Sequence, residues 1–119
     1  MWVRVGSFLV KPDQALNLRR TYNEQAVPKV RAQPGNLGCL LLEPHVDGEP
    51  FLVMTVWTDR AAADRYESSG VATEVVALVR AFFAGPPTLR SYESASVSGL
   101  PLQAPANQAL TPTDLRPAG

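Results

Sequence analysis

Apolar and polar positions alternate from Trp2 to Val10, with Val3, Val5 and Ser7 on one side and Arg4, Gly6 and Phe8 on the other, which predicts a strand. Pro12 and Asp13 punctuate it. The period then changes: Ala15, Leu18, Tyr22, Ala26 and Val30 recur every three or four residues opposite Arg19, Arg20, Asn23 and Glu24, predicting an amphipathic helix. Pro28 falls inside that stripe, and its missing N–H and bulky ring predict a kink or split just before Lys29. Pro34-Gly35 closes the helix. Leu37 to Glu43 reads as a second strand, and Asp47-Gly48 as the hairpin turn into a third, Phe51 to Trp57. Thr58 or Asp59 caps a helix running through Ser68. After the Ser69-Gly70 break, Val71, Val75, Leu78, Val79 and Phe82 mark another helical run, stopped by Gly85-Pro86-Pro87. Thr88 to Ser94 predicts a fourth strand. The order β-α-β-β-α-β points to an α+β, ferredoxin-like fold, an antiparallel sheet with helices on one face.

The third strand breaks the pattern expected of such a sheet. Leu52, Met54 and Val56 face one way and Phe51, Val53 and Trp57 the other, so both faces are apolar, and Leu40, Leu41 and Leu42 repeat the feature. A soluble monomer seldom exposes an apolar patch of that size, so the second face needs a cover. The simplest cover is the same face of a second copy, which predicts a homodimer.

At 119 residues the chain holds one core, and its composition changes near residue 94. Residues 1–94 carry the predicted elements. Ala95 to Gly119 holds four of the eleven prolines, only Asp114 and Arg116 as charges, and aperiodic leucines at 100, 102, 110 and 115. That segment cannot form its own core and reads as a Pro-rich arm, long enough to wrap across a dimer. Eleven Lys/Arg balance eleven Asp/Glu, so there is no basic field for nucleic acid. The single Cys39 and single His45 exclude an internal disulfide and a Cys/His zinc site, and no metal is expected. The absence of a signal-peptide pattern and of any long apolar run predicts a cytoplasmic protein without a membrane span.

The stretches VPKVRAQPGNLGCLLLEP and DGEPFLVMTVWTDRAAADRYESS, the second a greasy strand ending in tryptophan followed by a capped helix, resemble the antibiotic biosynthesis monooxygenase family. The resemblance spans roughly residues 1 to 94. It implies a dimeric α/β barrel in which two sheets face each other, with one pocket per subunit between sheet and helices. It also implies a cofactor-free monooxygenase acting on a small aromatic or quinone-like compound. The alternative is a non-catalytic ligand-binding or dimerisation module of the same fold. The family's haem-degrading branch is disfavoured. Its strand asparagine, its tryptophan nine residues after that of VW and its ligating histidine nineteen residues after it align with Ser7, Tyr66 and Val76, and valine cannot ligate iron.

Cofactor-free oxygenation needs an apolar pocket, removal of a substrate proton and donors that stabilise the resulting anion. Tyr66 is the first catalytic candidate, on the helix after Trp57, against the plainer reading of a packed tyrosine with its hydroxyl at the surface. Trp57 is a candidate pocket floor or a core residue. Tyr22 lies on the apolar stripe, Ser7 offers a hydrogen bond at the pocket's end, and Arg80 can pair with an anionic substrate. His45 is the one side chain whose ordinary titration lies near neutrality, although EPHVDGEP is hairpin sequence. Cys39 reads as buried and inert.

Overall fold

A computed structural model describes residues 1–99. The strands are β1 (Trp2–Phe8), β2 (Asn36–Leu42), β3 (Phe51–Trp57) and β4 (Thr88–Glu93), and the helices are α1 (Ala15–Thr21), α2 (Val27–Arg31), α3 (Arg60–Ser68) and α4 (Val71–Val79). The four strands form one antiparallel sheet in the order β2-β3-β1-β4. The central pairing runs from Trp2↔Trp57 to Phe8↔Phe51, and β4 joins with Val3 opposite Tyr92. The helices cover one face. This is the ferredoxin-like α+β architecture predicted by the alternation.

The backbone stays helical through Pro28, and the segment divides just before Val27 rather than just before Lys29. A π turn, Tyr22–Ala26, lies between α1 and α2, and the Val27 N–H bonds to the Tyr22 carbonyl, five residues back. Leu18, Tyr22, Ala26 and Val30 are all buried although each lies four residues from the next. In a regular α-helix a four-residue step overshoots the turn by about 40°, so such a stripe drifts off the core. The wider turn takes that drift back and holds all four on one face. The proline sits just beyond it, in the first turn of α2, where its missing N–H costs least.

β1 ends earlier than the alternation predicts. Past Phe8 the chain pairs instead with the segment after α4: Val10 bridges Phe83, and the Ala84 N–H bonds to the Leu9 carbonyl at 2.8 Å. After α4 the helix tightens into a 3-10 turn, Arg80–Phe82. It is Phe83, rather than the predicted Phe82, that enters the core, its ring centroid 4.2 Å from that of Phe8. Asp59 caps α3 by accepting the Ala62 N–H at 2.9 Å, a contact worth about 1 kcal/mol. Gly35 is required by its surroundings: its φ is +82°, and a Cβ there would come 2.6 Å from that of Ala62.

Two apolar clusters fill the space between sheet and helices. One gathers Tyr22, Ala26, Trp57 and Tyr66, the other Phe8, Leu18, Phe51 and Phe83. The far face of the sheet carries Val3, Val5, Leu52 and Met54, with Leu40 and Leu42 exposed at 47% and 40%. The helices all lie on the other side, and Val56, at one end of this face, is its buried member. Of the expected arm, residues 95–99 are described and the remainder lies outside the described residues. Among the described residues, no helix is long and apolar enough to cross a membrane.

Candidate functional site

Strand pleating sends Arg4, Gly6 and Phe8 of β1, and Val53 and Thr55 of β3, toward the helices. There they bound a cavity of about 420 Å³, within the range that holds a small organic ligand. Val75, Val76 and Val79 of α4 line the opposite wall, and Tyr22 with Val30 closes the side under the π turn. Arg80, Pro87 and Leu89 lie on the side toward β4. The lining is mostly aliphatic and aromatic. Its polar side chains are few: Arg4, Tyr22, Thr55, Tyr66 and Glu67, with Thr73 and Arg80 exposed on the α4 side.

Tyr66 lies in the wall, 8% exposed, and its hydroxyl makes no hydrogen bond among the described residues. Burial pushes its phenol up to about 12, helped by Cys39 and Glu67 and opposed by the nearby Arg4 guanidinium. Tyr22 is buried more completely, and desolvation raises its phenol further still, followed by the influence of Cys39. Its hydroxyl is the one buried side-chain oxygen or nitrogen without a partner among the described residues. The Cys39 thiol is near enough to perturb it, but sulfur is a weak acceptor and the contact does not reach hydrogen-bond geometry. Both phenols therefore stay protonated at neutral pH and act as O–H donors, not as bases.

The candidates from sequence separate into two groups. Tyr66, Tyr22 and Arg80 all line the cavity. Trp57 stands behind the wall, fully buried, its Nε1–H donating to Thr55 Oγ1 at 2.9 Å. Ser7 does not line the cavity. It lies between Gly6 and Phe8 on a strand whose even-numbered residues face the helices, so its side chain takes the far face, opposite Leu52 and Thr88. His45 is exposed in the connection between β2 and β3, away from the cavity. Val76 also lines the cavity.

Arg4 joins the cavity wall without any signal in the sequence. It reaches from β1 to α3 and forms an ion pair with Glu67, next to Tyr66. A lone arginine in a predicted strand looks solvated, and nothing local in the sequence joins it to α3. Among the described residues, no cluster of three His, Cys, Asp or Glu is placed to hold a metal ion.

An antiparallel ferredoxin-like sheet with a ligand-sized apolar cavity beneath its helices defines the class. The chain belongs to the antibiotic biosynthesis monooxygenase family, whose sequence model matches residues 1–78. Among solved structures, it is similar to one described as an antibiotic biosynthesis monooxygenase, with 25% identity, a TM-score of 0.65, and 81% of this chain and 100% of that one covered. It is also similar in fold to a variant of SnoaB, a cofactor-independent oxygenase from Streptomyces nogalater, with 18% identity, a TM-score of 0.67, and coverage of 81% and 94%. A protein of unknown function from Nitrosomonas europaea shares the fold at 18% identity and a TM-score of 0.66, with 83% and 93% covered. No curated protein matches the chain.

Proposed function

We propose that this protein is a homodimeric, cofactor-free monooxygenase acting on a small aromatic or quinone-like compound. The observation that carries this reading is an open, mostly apolar cavity with the unpaired Tyr66 hydroxyl in its wall. A filled interior would have spoken for a purely structural module. In such a reaction the substrate supplies all the electrons: an activated ring methylene and dioxygen give a ring carbonyl and water. The protein's part is to exclude water, orient the ring and donate hydrogen bonds to the oxygen that turns anionic.

The bare outer face of the sheet supports a second copy as its cover, through the same patch on both subunits. The arm at 95–119 is assigned the role of strapping that dimer. A single free cysteine, Cys39, suits the cytoplasm as the compartment.

The test is oxygen consumption with an anthrone-type phenol in buffer free of added metal and flavin. Saturable uptake, one dioxygen per quinone formed, is expected. Saturable binding of the same compound without uptake above buffer would instead favour the second reading, a ligand-binding module. That reading draws on the two protonated phenols, which leave the cavity without a tyrosine base.

A further inference from the structure

The cavity's polar groups are not spread evenly. The titratable ones at its wall are Arg4 on β1, Tyr22 on the first helix, Tyr66 and Glu67 on α3, and Arg80 after α4. Arg80 is exposed, whereas the Arg4 side chain is 21% exposed and lies over the apolar interior. Glu67 engages one terminal amino group of Arg4, through Nη2. The other guanidinium N–H groups have no partner among the described residues, and a guanidinium carries five donors in a fixed plane. Tyr66, adjacent in sequence to Glu67, adds an unpartnered O–H to the same wall, on a side chain more than nine-tenths buried. One cation and one neutral donor, near enough for the guanidinium to act on the phenol, thus share the wall of a mostly apolar cavity.

We propose that Arg4 and Tyr66 form an anion-stabilising pole that takes the oxygen of a phenol- or enol-bearing ligand as its anion. The ligand's O–H proton leaves to water at the open side, and no protein base is needed to remove it. This rests on the reading of the cavity as a site for an aromatic ligand, and it adds the ionisation state in which that ligand binds. Two features of the wall agree with it. The cavity's tyrosines are held protonated, and the only histidine lies elsewhere. The reaction with dioxygen also requires an electron-rich anion, which a positive charge in the cavity wall makes accessible at neutral pH. Glu67 acts against the pole by neutralising Arg4, so it sets how strongly the anion is favoured.

The probe is nitronaphthol, a phenol whose ionisation is visible in its absorption spectrum, with its methyl ether as a non-ionising control. Bound to the intact protein, the probe is expected to ionise about one pH unit or more below its value in water. Arg4→Met should abolish most of that shift while the ether, which has no proton to lose, still binds. Tyr66→Phe should reduce it. Glu67→Gln should move it further in the same direction, because the guanidinium is released. The opposite signs of the Arg4 and Glu67 variants keep the test decisive if one of them folds poorly. An unshifted probe, or a shift indifferent to Arg4→Met and Glu67→Gln while the ether still binds, overturns the pole and leaves the cavity reading standing. Failure of both probe and ether to bind overturns the cavity reading and the pole with it.

Discussion

The rings of Trp57 and Tyr66 lie 4.8 Å apart at an interplanar angle of 31°. Trp57 is sealed at the end of β3 and anchored to Thr55, so it fixes the position of a phenol that does reach the cavity. The tryptophan is the support and the tyrosine is the presented group. Tyr66→Phe removes the hydroxyl and keeps this tilted ring contact. Turnover of an aromatic substrate is expected to fall on the order of a hundredfold, with the melting temperature within a few degrees of the parent. Unchanged turnover would exclude Tyr66 from the chemistry.

Met54 lies on the uncovered face of the sheet, whereas Phe51 is turned inward and stacks with Phe8. Met54→Asp is therefore the substitution that addresses the dimer. A charge buried between two sheets would have no partner, so the protein should dissociate and lose stability. Light scattering decides it: a parent that is already monomeric in dilute solution sinks the dimer.

Stability should respond to alkali in a defined direction. An unfolded tyrosine ionises near 10, but folded Tyr66 holds its proton to about 12 and Tyr22 holds on longer. Above about pH 10 the unfolded chain releases protons that the folded one retains, so the stability these phenols contribute, complete below that pH, declines progressively as pH rises. Urea midpoints measured from pH 8 upward should be flat and then fall. Ionisation of the tyrosines followed by ultraviolet absorption should show two of the three residues titrating only as the fold is lost. Full titration before unfolding would contradict the burial of the two phenols.

Removing residues 95–119 should lower the melting temperature or weaken dimerisation. The four prolines of that segment reduce the entropy lost when it is ordered, and its leucines offer anchor points. A truncated protein with the stability and self-association of the full chain would remove any strapping role.

Much of the fold is legible in the sequence because local signals agree with one another. β3 matches residue for residue: seven apolar or β-branched positions lie between Pro50 and Thr58, and no competing period runs through them. α3 starts where Asp59 can accept an N–H. The π turn was less visible, because Pro28 is the stronger breaker on paper and hides the meaning of a stripe repeating every four residues. The site divides along the same line. Tyr66 and Tyr22 could be named from their helical positions, but the parity of β1 put Ser7 on the wrong side of the sheet for the cavity. Arg4 becomes meaningful only when α3 lies across β1 and Glu67 meets it. Asn36 is a similar case. It is fully buried, accepting from Arg31 at 2.7 Å and donating to the Val56 carbonyl at 3.3 Å, and so holds the bulge between Asn36 and Gly38. Its neighbours in sequence give no hint of that role.

The wide turn at Tyr22–Ala26 also bears on how this chain is compared with its relatives. Five-back bonding fits one more residue into the helix than an α-helix of the same span and facing would hold. A relative whose first helix reaches the same two ends without the wide turn is one residue shorter there, although no loop has changed. The gap in an alignment then belongs inside the helix. If it is placed in the Pro34-Gly35 turn instead, every position from Tyr22 to Val30 is matched to the wrong partner, and the cavity wall it carries is read from the wrong residues.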